Sequence, residues 1–315
     1  MALSLPKRRA QPRGNWCTNG GLSHRLASVV QNPSFELHRS TCLCCSGSCV
    51  LAGATPQERF RRMRPTALIT GVGRRSGLGA AIATRLASDG WDLALTHLPG
   101  YEERVGLPSS PDDVEDIAAE CRTRGATVTL LPADLADPAV PQQLVERANE
   151  HGTLTALVLS HSEGVGSSIL DTTVESWDRH YAVNARAAWL LIKAFAETLS
   201  AQVKDSNSAR IVALTSDHSA FNLPYGTSKG ALDRLVTAAS IELASLGVRA
   251  NAINPGPVDT GWMDSQTRDH LTAMTPAGRL GNPEDTANLV AFLLSEQGGW
   301  VTGQVLHSNG GFGVG

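Results

Sequence analysis

Short apolar runs alternate with helical segments along most of this 315-residue chain, and this alternation constrains the fold more than any other feature. The first unit is an apolar run at 66–70, a glycine-rich turn and a periodic apolar segment at 80–86, which predicts a strand, a turn and a helix. Strands that alternate with helices are typical of a parallel sheet covered on both faces, so we predict an α/β fold with a doubly wound parallel sheet. The units that follow have predicted strands at 92–96, 127–131 and 155–160 and predicted helices at 114–124, 140–150 and 174–201.

Positive charge and cysteine are concentrated in the first 62 residues. This segment holds nine Lys or Arg against two Asp or Glu and five of the six cysteines, and it shows no sustained periodicity. We therefore predict a poorly ordered basic leader at 1–62, followed by one domain at 63–315. An organelle transit peptide has a similar composition, but an extended amphipathic helix is not evident. The interpretation that we favour is a start at Met63, with a leader that is non-essential.

The composition also excludes several classes of protein and partner. Only Cys121 lies outside the leader, so the domain is not built on disulfides, and a reducing, cytoplasmic location is predicted. No apolar run approaches the ~18 residues of a membrane span. The clustered cysteines of CLCCSGSC lack the paired spacing of a zinc site, which predicts no metal. The leader has neither aromatic interleaving nor an amphipathic stripe, so neither nucleic acid nor a membrane is a predicted partner.

The glycine-rich turn predicts a nucleotide site. In TGVGRRSGLG, at 70–79, the glycines allow the backbone to approach a pyrophosphate, whose charge then lies at the N-terminus of the next helix. Gly71, Gly77, Leu78 and Gly79 are the predicted contacts.

Five segments together resemble the short-chain dehydrogenase/reductase family, in particular its members similar to 3-oxoacyl acyl-carrier-protein reductase. They are TGVGRRSGLG at 70–79, ADLAD at 133–137, VNARA at 183–187, YGTSK at 225–229 and NPGPVDT at 254–260. The resemblance runs from about residue 65 to residue 315 and implies a Rossmann fold, with a dinucleotide at the carboxyl edge of the sheet.

The expected cofactor is NADP, with NAD as the weaker alternative. An NAD site usually has an acidic residue at the end of the second strand, whereas this strand ends in Thr-His-Leu at 96–98. Arg74 and Arg75 in the glycine loop are candidates for a bidentate contact with the 2′-phosphate. The resemblance adds His97, Asp134, Leu135 and Ser160 around the adenosine half and Pro255, Gly256 and Thr260 near the nicotinamide. It also implies that Tyr225 and Lys229 contact the cofactor, with Lys229 at the hydroxyls of the nicotinamide ribose. The family has Asn-Asn-Ala-Gly after the fourth strand, where this chain has Ser-His-Ser-Glu at 160–163, and His161 is interpreted as a polar loop substitution without a catalytic role.

Tyr225 and Lys229 are the predicted catalytic pair. Their separation by four positions in a helical segment places both side chains on one face. An ammonium group near a phenol lowers the phenol pKa, which suits Tyr225 as general acid or base. The resemblance implies that Ser216 bonds the substrate oxygen, with Thr215 and Ser219 as its rivals. It also implies that Asn184 anchors a water in the proton relay, and the polar stretch at 261–281 is predicted to be an irregular, mobile lid.

The expected activity is hydride transfer between NADP(H) and a ketone or secondary alcohol, with a 3-oxoacyl thioester, a polyketide-like ketone or a small ketone as substrate. The partner is then a small-molecule or acyl-carrier carbonyl compound, and relatives suggest a homotetramer or homodimer.

The five residues between Gly71 and Gly77 resemble the spacing of divergent enoyl reductases, but that branch separates its tyrosine and lysine by six residues and Asn222 stands where that tyrosine would be. The alternative is a catalytically silent, dinucleotide-binding regulatory protein.

Overall fold

A computed structural model describes residues 64–150, 152–206 and 208–313. The predicted leader, with its cysteines and the start at Met63, lies outside the described residues. The boundary between leader and domain therefore remains a prediction.

The described chain forms a seven-stranded sheet, and every adjacent pair of strands is parallel. The strand order β3-β2-β1-β4-β5-β6-β7 confirms the predicted doubly wound fold. The central strands read as continuous apolar runs because helices cover both of their faces. The strands are β1 (Thr66–Thr70), β2 (Asp92–His97), β3 (Val128–Pro132), β4 (Leu154–Leu159), β5 (Ala209–Leu214), β6 (Val248–Asn254) and β7 (Val305–His307).

Helices follow the strands and pack on both faces of the sheet. They are α1 (Leu78–Ser88), α2 (Tyr101–Arg104), α3 (Asp113–Thr123), α4 (Val140–Asn149), α5 (Val174–His180), α6 (Ala187–Thr198), α7 (Ala201–Asp205), α8 (Leu223–Glu242), α9 (Ser265–Met274) and α10 (Pro283–Leu294). None of these described helices has the length and apolar character needed to cross a membrane.

Two helical predictions differ from the structure. The long helix expected at 174–201 is interrupted by a π-helical turn, Tyr181–Arg186, between α5 and α6. The stretch expected to be irregular contains the regular helix α9, whose first turn is capped by Asp264, with the Thr267 amide donating to its side chain at 2.7 Å. The sequence did not predict α9 because this helix buries none of its residues and therefore has no apolar stripe.

The core has one part on each face of the sheet. Leu191 and Phe195 of α6 fill one part, and Ile82 and Leu86 of α1 fill the other. Because β1 lies between β2 and β4, the chain leaves the sheet in opposite directions after β1 and β4. Ligands of such sheets bind in the crevice that opens at this switch point, outside the carboxyl ends of the strands.

Candidate active site

The backbone of the glycine loop lies very close to the backbone that directly follows β4. A Cβ on Gly71 would lie 2.7 Å from the Cα of His161, and a Cβ on Gly79 would lie 2.6 Å from the carbonyl oxygen of Gly71. Gly71 also has φ +75°, a conformation that favours glycine. The crossing brings the start of α1 against the carboxyl ends of β1 and β4.

The N-terminus of α1 is open to an anionic ligand. Its N-cap, Gly77, offers no side-chain hydrogen bond, and its first turn carries no acidic residue. Free N–H groups and the helix dipole at such an end favour a phosphate. The loop therefore fits the pyrophosphate of a dinucleotide.

A cleft runs from this loop along the carboxyl edge of the sheet. Its wall includes ten of the predicted cofactor residues: Gly71, Arg74, Gly77, Leu78, Gly79, His97, Asp134, Leu135, Ser160 and Thr260. The other predicted cofactor residues do not line it: Arg75, Tyr225, Lys229, Pro255 and Gly256. Gly256 instead meets another part of the chain, since a Cβ there would lie 2.4 Å from the Cβ of Asn309.

The two arginines of the glycine loop point in different directions. Arg74 reaches across the cleft and donates to the carbonyl oxygen of Thr260 at 2.6 Å, and burial lowers the pKa of its guanidinium. Arg75 turns away and pairs with Asp116 at 3.0 Å and Glu120 at 3.8 Å on α3. Arg75 thus lies away from the cleft wall in the described structure, and its expected contact with the 2′-phosphate remains a prediction.

A buried carboxylate lies in the same cleft and was not found from the sequence. Glu163 is 2% exposed and accepts two hydrogen bonds from Arg104, at 2.8 and 2.7 Å, and one from Arg179 at 3.3 Å. Arg179 also donates to Asp134 at 2.9 Å. Burial alone raises the pKa of the Glu163 carboxyl, but the two arginines outweigh it and hold the pKa below its ordinary value.

His161 is a structural part of the cleft floor. It is 8% exposed, its Nε2 lies 3.0 Å from the carbonyl oxygen of Val183, and its Nδ1 lies 2.6 Å from the hydroxyl of Thr70. Burial, with a contribution from the charge of Lys229, lowers the pKa of His161 to about 3. The imidazole is neutral and joins β1, β4 and the π-helical turn.

Asn184 lies in the π-helical turn, a distortion that often marks a functional site. Its Oδ1 accepts from the Glu163 amide at 2.7 Å, and its Nδ2 donates to the Glu163 carbonyl at 3.0 Å and to Ser228 at 2.9 Å. In the described structure this side chain fixes the backbone that follows β4. Its expected role as the anchor of a water remains a prediction.

Tyr225 and Lys229 lie one turn apart on α8. The Lys229 ammonium lies 5.6 Å from the centre of the Tyr225 ring and donates to the carbonyl oxygen of Leu214 at 2.8 Å. Burial lowers the pKa of Lys229 to about 8. Burial raises the pKa of Tyr225, so the expected lowering by the ammonium is not found, because loss of water is the larger effect.

The hydroxyls of two serines lie near the phenol of Tyr225 and oppose the rise that burial causes in its pKa. One belongs to Ser216, the predicted serine after β5. Of its rivals, Thr215 donates to the carbonyl oxygen of Lys229 at 3.3 Å, and Ser219 is exposed. The second hydroxyl belongs to Ser162, which also lines the cleft and which the sequence analysis missed. The phenol is thus surrounded by groups that stabilise its ionised form.

The arrangement combines a nucleotide cleft with a buried acid. One end has open backbone amides for phosphate, and the other has a phenol held by two hydroxyls and an ammonium group. Such a site can place a cofactor beside a substrate oxygen and exchange one proton with that oxygen. The described residues contain no cluster of three or more His, Cys, Asp or Glu suited to a metal ion.

Known proteins share both the sequence and the architecture. A family model described as Enoyl-(Acyl carrier protein) reductase matches residues 71–313. The chain is 34% identical over 253 residues to the uncharacterized oxidoreductase YjdA of Bacillus subtilis, covering 78% of this chain and 96% of that protein. It is 32% identical over 264 residues to (3R)-3-hydroxyacyl-CoA dehydrogenase of Rattus norvegicus, covering 81% of this chain and 98% of that protein.

A solved structure extends the comparison to a bound cofactor. The short-chain dehydrogenase from Burkholderia cenocepacia in complex with NADP superposes with a TM-score of 0.69 at 28% identity, covering 79% of this chain and 98% of that one.

Proposed function

The chain belongs to the short-chain dehydrogenase/reductase family of oxidoreductases, and from this premise we propose that it transfers hydride between NADP(H) and a ketone or secondary alcohol. The observation that carries the proposal is the position of Tyr225, with the Lys229 ammonium 5.6 Å from the centre of its ring and the hydroxyls of Ser216 and Ser162 near its phenol. A half-buried phenol beside an ammonium group and two hydroxyls is suited to act as a proton donor.

The cleft residues fit a dinucleotide. Open amides at the start of α1 suit the pyrophosphate, Arg74 supplies a positive charge inside the cleft, and β2 ends without a carboxylate. The Burkholderia neighbour that binds NADP supports NADP(H) as the cofactor. Bound NADPH would supply the hydride, and the protein supplies position and a proton.

In the reducing direction, Tyr225 gives its phenolic proton to the substrate oxygen as the carbonyl carbon receives the hydride, which yields the secondary alcohol. Ser216 holds that oxygen and, with Ser162, stabilises the phenolate that remains. Lys229, with a pKa of about 8, is mostly protonated at neutral pH and adds positive charge beside the ring. In oxidation the same phenolate takes the proton of the alcohol.

The Tyr-Lys spacing supports a carbonyl rather than an enoyl substrate. The matched family model has an enoyl reductase description, but α8 places Tyr225 only four positions before Lys229, and Asn222 lies before the helix as its N-cap. The rat relative, whose name gives a hydroxyacyl thioester, supports a 3-oxoacyl thioester as one substrate class.

The test is a panel of aldehydes, ketones and 3-oxoacyl thioesters, assayed with NADPH and with NADH by loss of the reduced cofactor's absorbance. The wild-type chain should oxidise NADPH with at least one class, and Tyr225→Phe should lower kcat by 10²-fold or more, on the scale of lost general acid catalysis, while cofactor binding persists. Binding of NADPH with no turnover in either protein would instead indicate the silent regulatory protein.

We also propose that the chain forms a homodimer or homotetramer in the cytoplasm. Trp189 of α6 and Ile241 of α8 are 50% and 72% exposed, and Trp300 near the carboxyl end is 95% exposed, which is unusual for large apolar side chains. A cytoplasmic location is supported by the reduced, buried Cys121. Light scattering would give the mass of the assembly, and cell fractionation would test the location.

A further inference from the structure

A carboxylate from α2 lies directly on the glycine loop. A Cβ built on Gly73 would be 2.0 Å from Oε1 of Glu102 and 2.9 Å from its Cδ, so the carboxyl group occupies the space that any side chain at position 73 would need. Glu102 lines the same cleft as Gly73, His97 and Leu98. The sequence analysis missed it because it stands five positions beyond the end of β2.

The carboxylate of Glu102 faces cations but is bonded to none of the described residues. It makes no hydrogen bond or ion pair with any described side chain, although its charge acts on the pKa of both Arg74 and His97, in each case against the larger effect of burial. An unpaired carboxylate at a cleft wall is free to accept a hydrogen bond from a ligand.

The position coincides with the expected place of the adenosine ribose. In sheets of this kind, the carboxyl end of the second strand is where an acidic residue bonds the ribose 2′-hydroxyl. Here β2 ends at His97, which shares the cleft wall with Glu102 and with Gly73. The structure thus supplies from α2 the carboxylate that the strand itself lacks.

We propose that Glu102 is the residue that limits the preference for NADP(H): its carboxylate accepts a hydrogen bond from the ribose 2′-hydroxyl of NAD(H) and repels the 2′-phosphate of NADP(H). This inference rests on the proposed function, since it concerns the same dinucleotide cleft. The charge of Arg74 favours the phosphate and that of Glu102 opposes it, so the chain binds both cofactors with a modest preference for NADP(H).

The test measures dissociation constants of NADPH and NADH by fluorescence titration, without turnover. Glu102→Gln removes the charge and leaves an amide that can donate to a phosphate. Removal of one unit charge beside a phosphate is expected to tighten NADPH binding about tenfold and to change NADH binding by less than about threefold in the weaker direction. The effect on NADPH should decrease as salt is added, because the repulsion is screened.

A second variant tests the same carboxylate by displacing it instead of removing its charge. Gly73→Ala places a methyl group where the carboxyl lies and displaces that flexible side chain, so the ratio of the two constants should move toward NADPH as in Glu102→Gln. The matched control is Glu103→Gln, which removes the same charge from the next, exposed position of α2, outside the main cleft. It should change both constants by less than about twofold.

The outcomes separate this inference from the proposed function. A ratio that moves toward NADPH in both Glu102→Gln and Gly73→Ala, but not in Glu103→Gln, supports it. Binding of both cofactors with an unchanged ratio in Glu102→Gln, or an equal change in Glu103→Gln, overturns the inference alone. If the wild-type chain binds neither dinucleotide, the proposed function fails, and this inference fails with it.

Discussion

Acidification from pH 7 to pH 5 should remove about 2 kcal/mol from the free energy of unfolding through His161 alone. The carbonyl of Val183 can only accept, so Nε2 of His161 carries the proton, and Nδ1 of the neutral ring accepts from the hydroxyl of Thr70 at 2.6 Å, in competition with the carbonyl oxygen of Val158 at 3.2 Å. A second proton on Nδ1 would displace that bond in a fully buried site near the charge of Lys229. These effects lower the pKa of His161 to about 3.

The size of this loss of stability follows from the pKa of His161 in the folded and in the unfolded chain. In the unfolded chain a histidine has a pKa of about 6.5, so the unfolded chain binds the proton first as the pH falls. The contribution of His161 is therefore complete above about pH 6.5 and is lost progressively toward pH 3, with a total of about 5 kcal/mol. The part that is lost between pH 7 and pH 5 is about 2 kcal/mol.

Urea unfolding, followed by circular dichroism at a fixed protein concentration, measures this loss at pH 7, 6 and 5. His161→Asn should be less stable than wild type at pH 7 but should lack the additional decrease of about 2 kcal/mol at pH 5. His270→Asn changes an exposed histidine of α9 and should keep the wild-type pH dependence. Equal pH dependence of wild type and His161→Asn would refute the reasoning.

Three further predictions concern the phenol, the glycine loop and a glycine of α8. Ser162→Ala removes a hydroxyl that lowers the pKa of Tyr225, so the ascending limb of the pH profile for alcohol oxidation, where Tyr225 ionises, should move to higher pH, whereas Ser219→Ala should leave it in place. Gly79→Ala, with its Cβ 2.6 Å from a backbone oxygen, should cost about 1–3 kcal/mol of unfolding free energy and weaken dinucleotide binding. Gly230→Ala on α8 meets nothing within 4 Å and should stabilise by about 0.5–1 kcal/mol in thermal unfolding.

The sequence alone was sufficient to predict those features of the fold and of the candidate site that depend on the local pattern of residues. The strand at Thr66–Thr70 was predicted to the residue, because an apolar run and a glycine define its two ends. The four-residue separation of Tyr225 and Lys229 placed both on one helix face, and the serine that ends β5 reaches the phenol. The parallel sheet followed from the alternation of elements.

The sequence was insufficient where a side chain chooses between distant partners. Arg75 pairs with Asp116, 41 positions away, and nothing in the loop itself indicates that choice. Glu163 is buried only because Arg104, 59 positions earlier, reaches it. An isolated glutamate after a strand gives no such signal, since the cost of burying its charge is offset only by the folded chain.

The π-helical turn at Tyr181–Arg186 also bears on how the chain tolerates changes in length. A π turn holds about one residue more than the α-helical turn it replaces, so it behaves as an inserted residue between α5 and α6. Deleting one residue there would restore a continuous α-helix, and either the apolar face of α6 or the side chain of Asn184 would rotate by about 100° from its partners. This turn is therefore a place where a single-codon deletion should separate folding from catalysis.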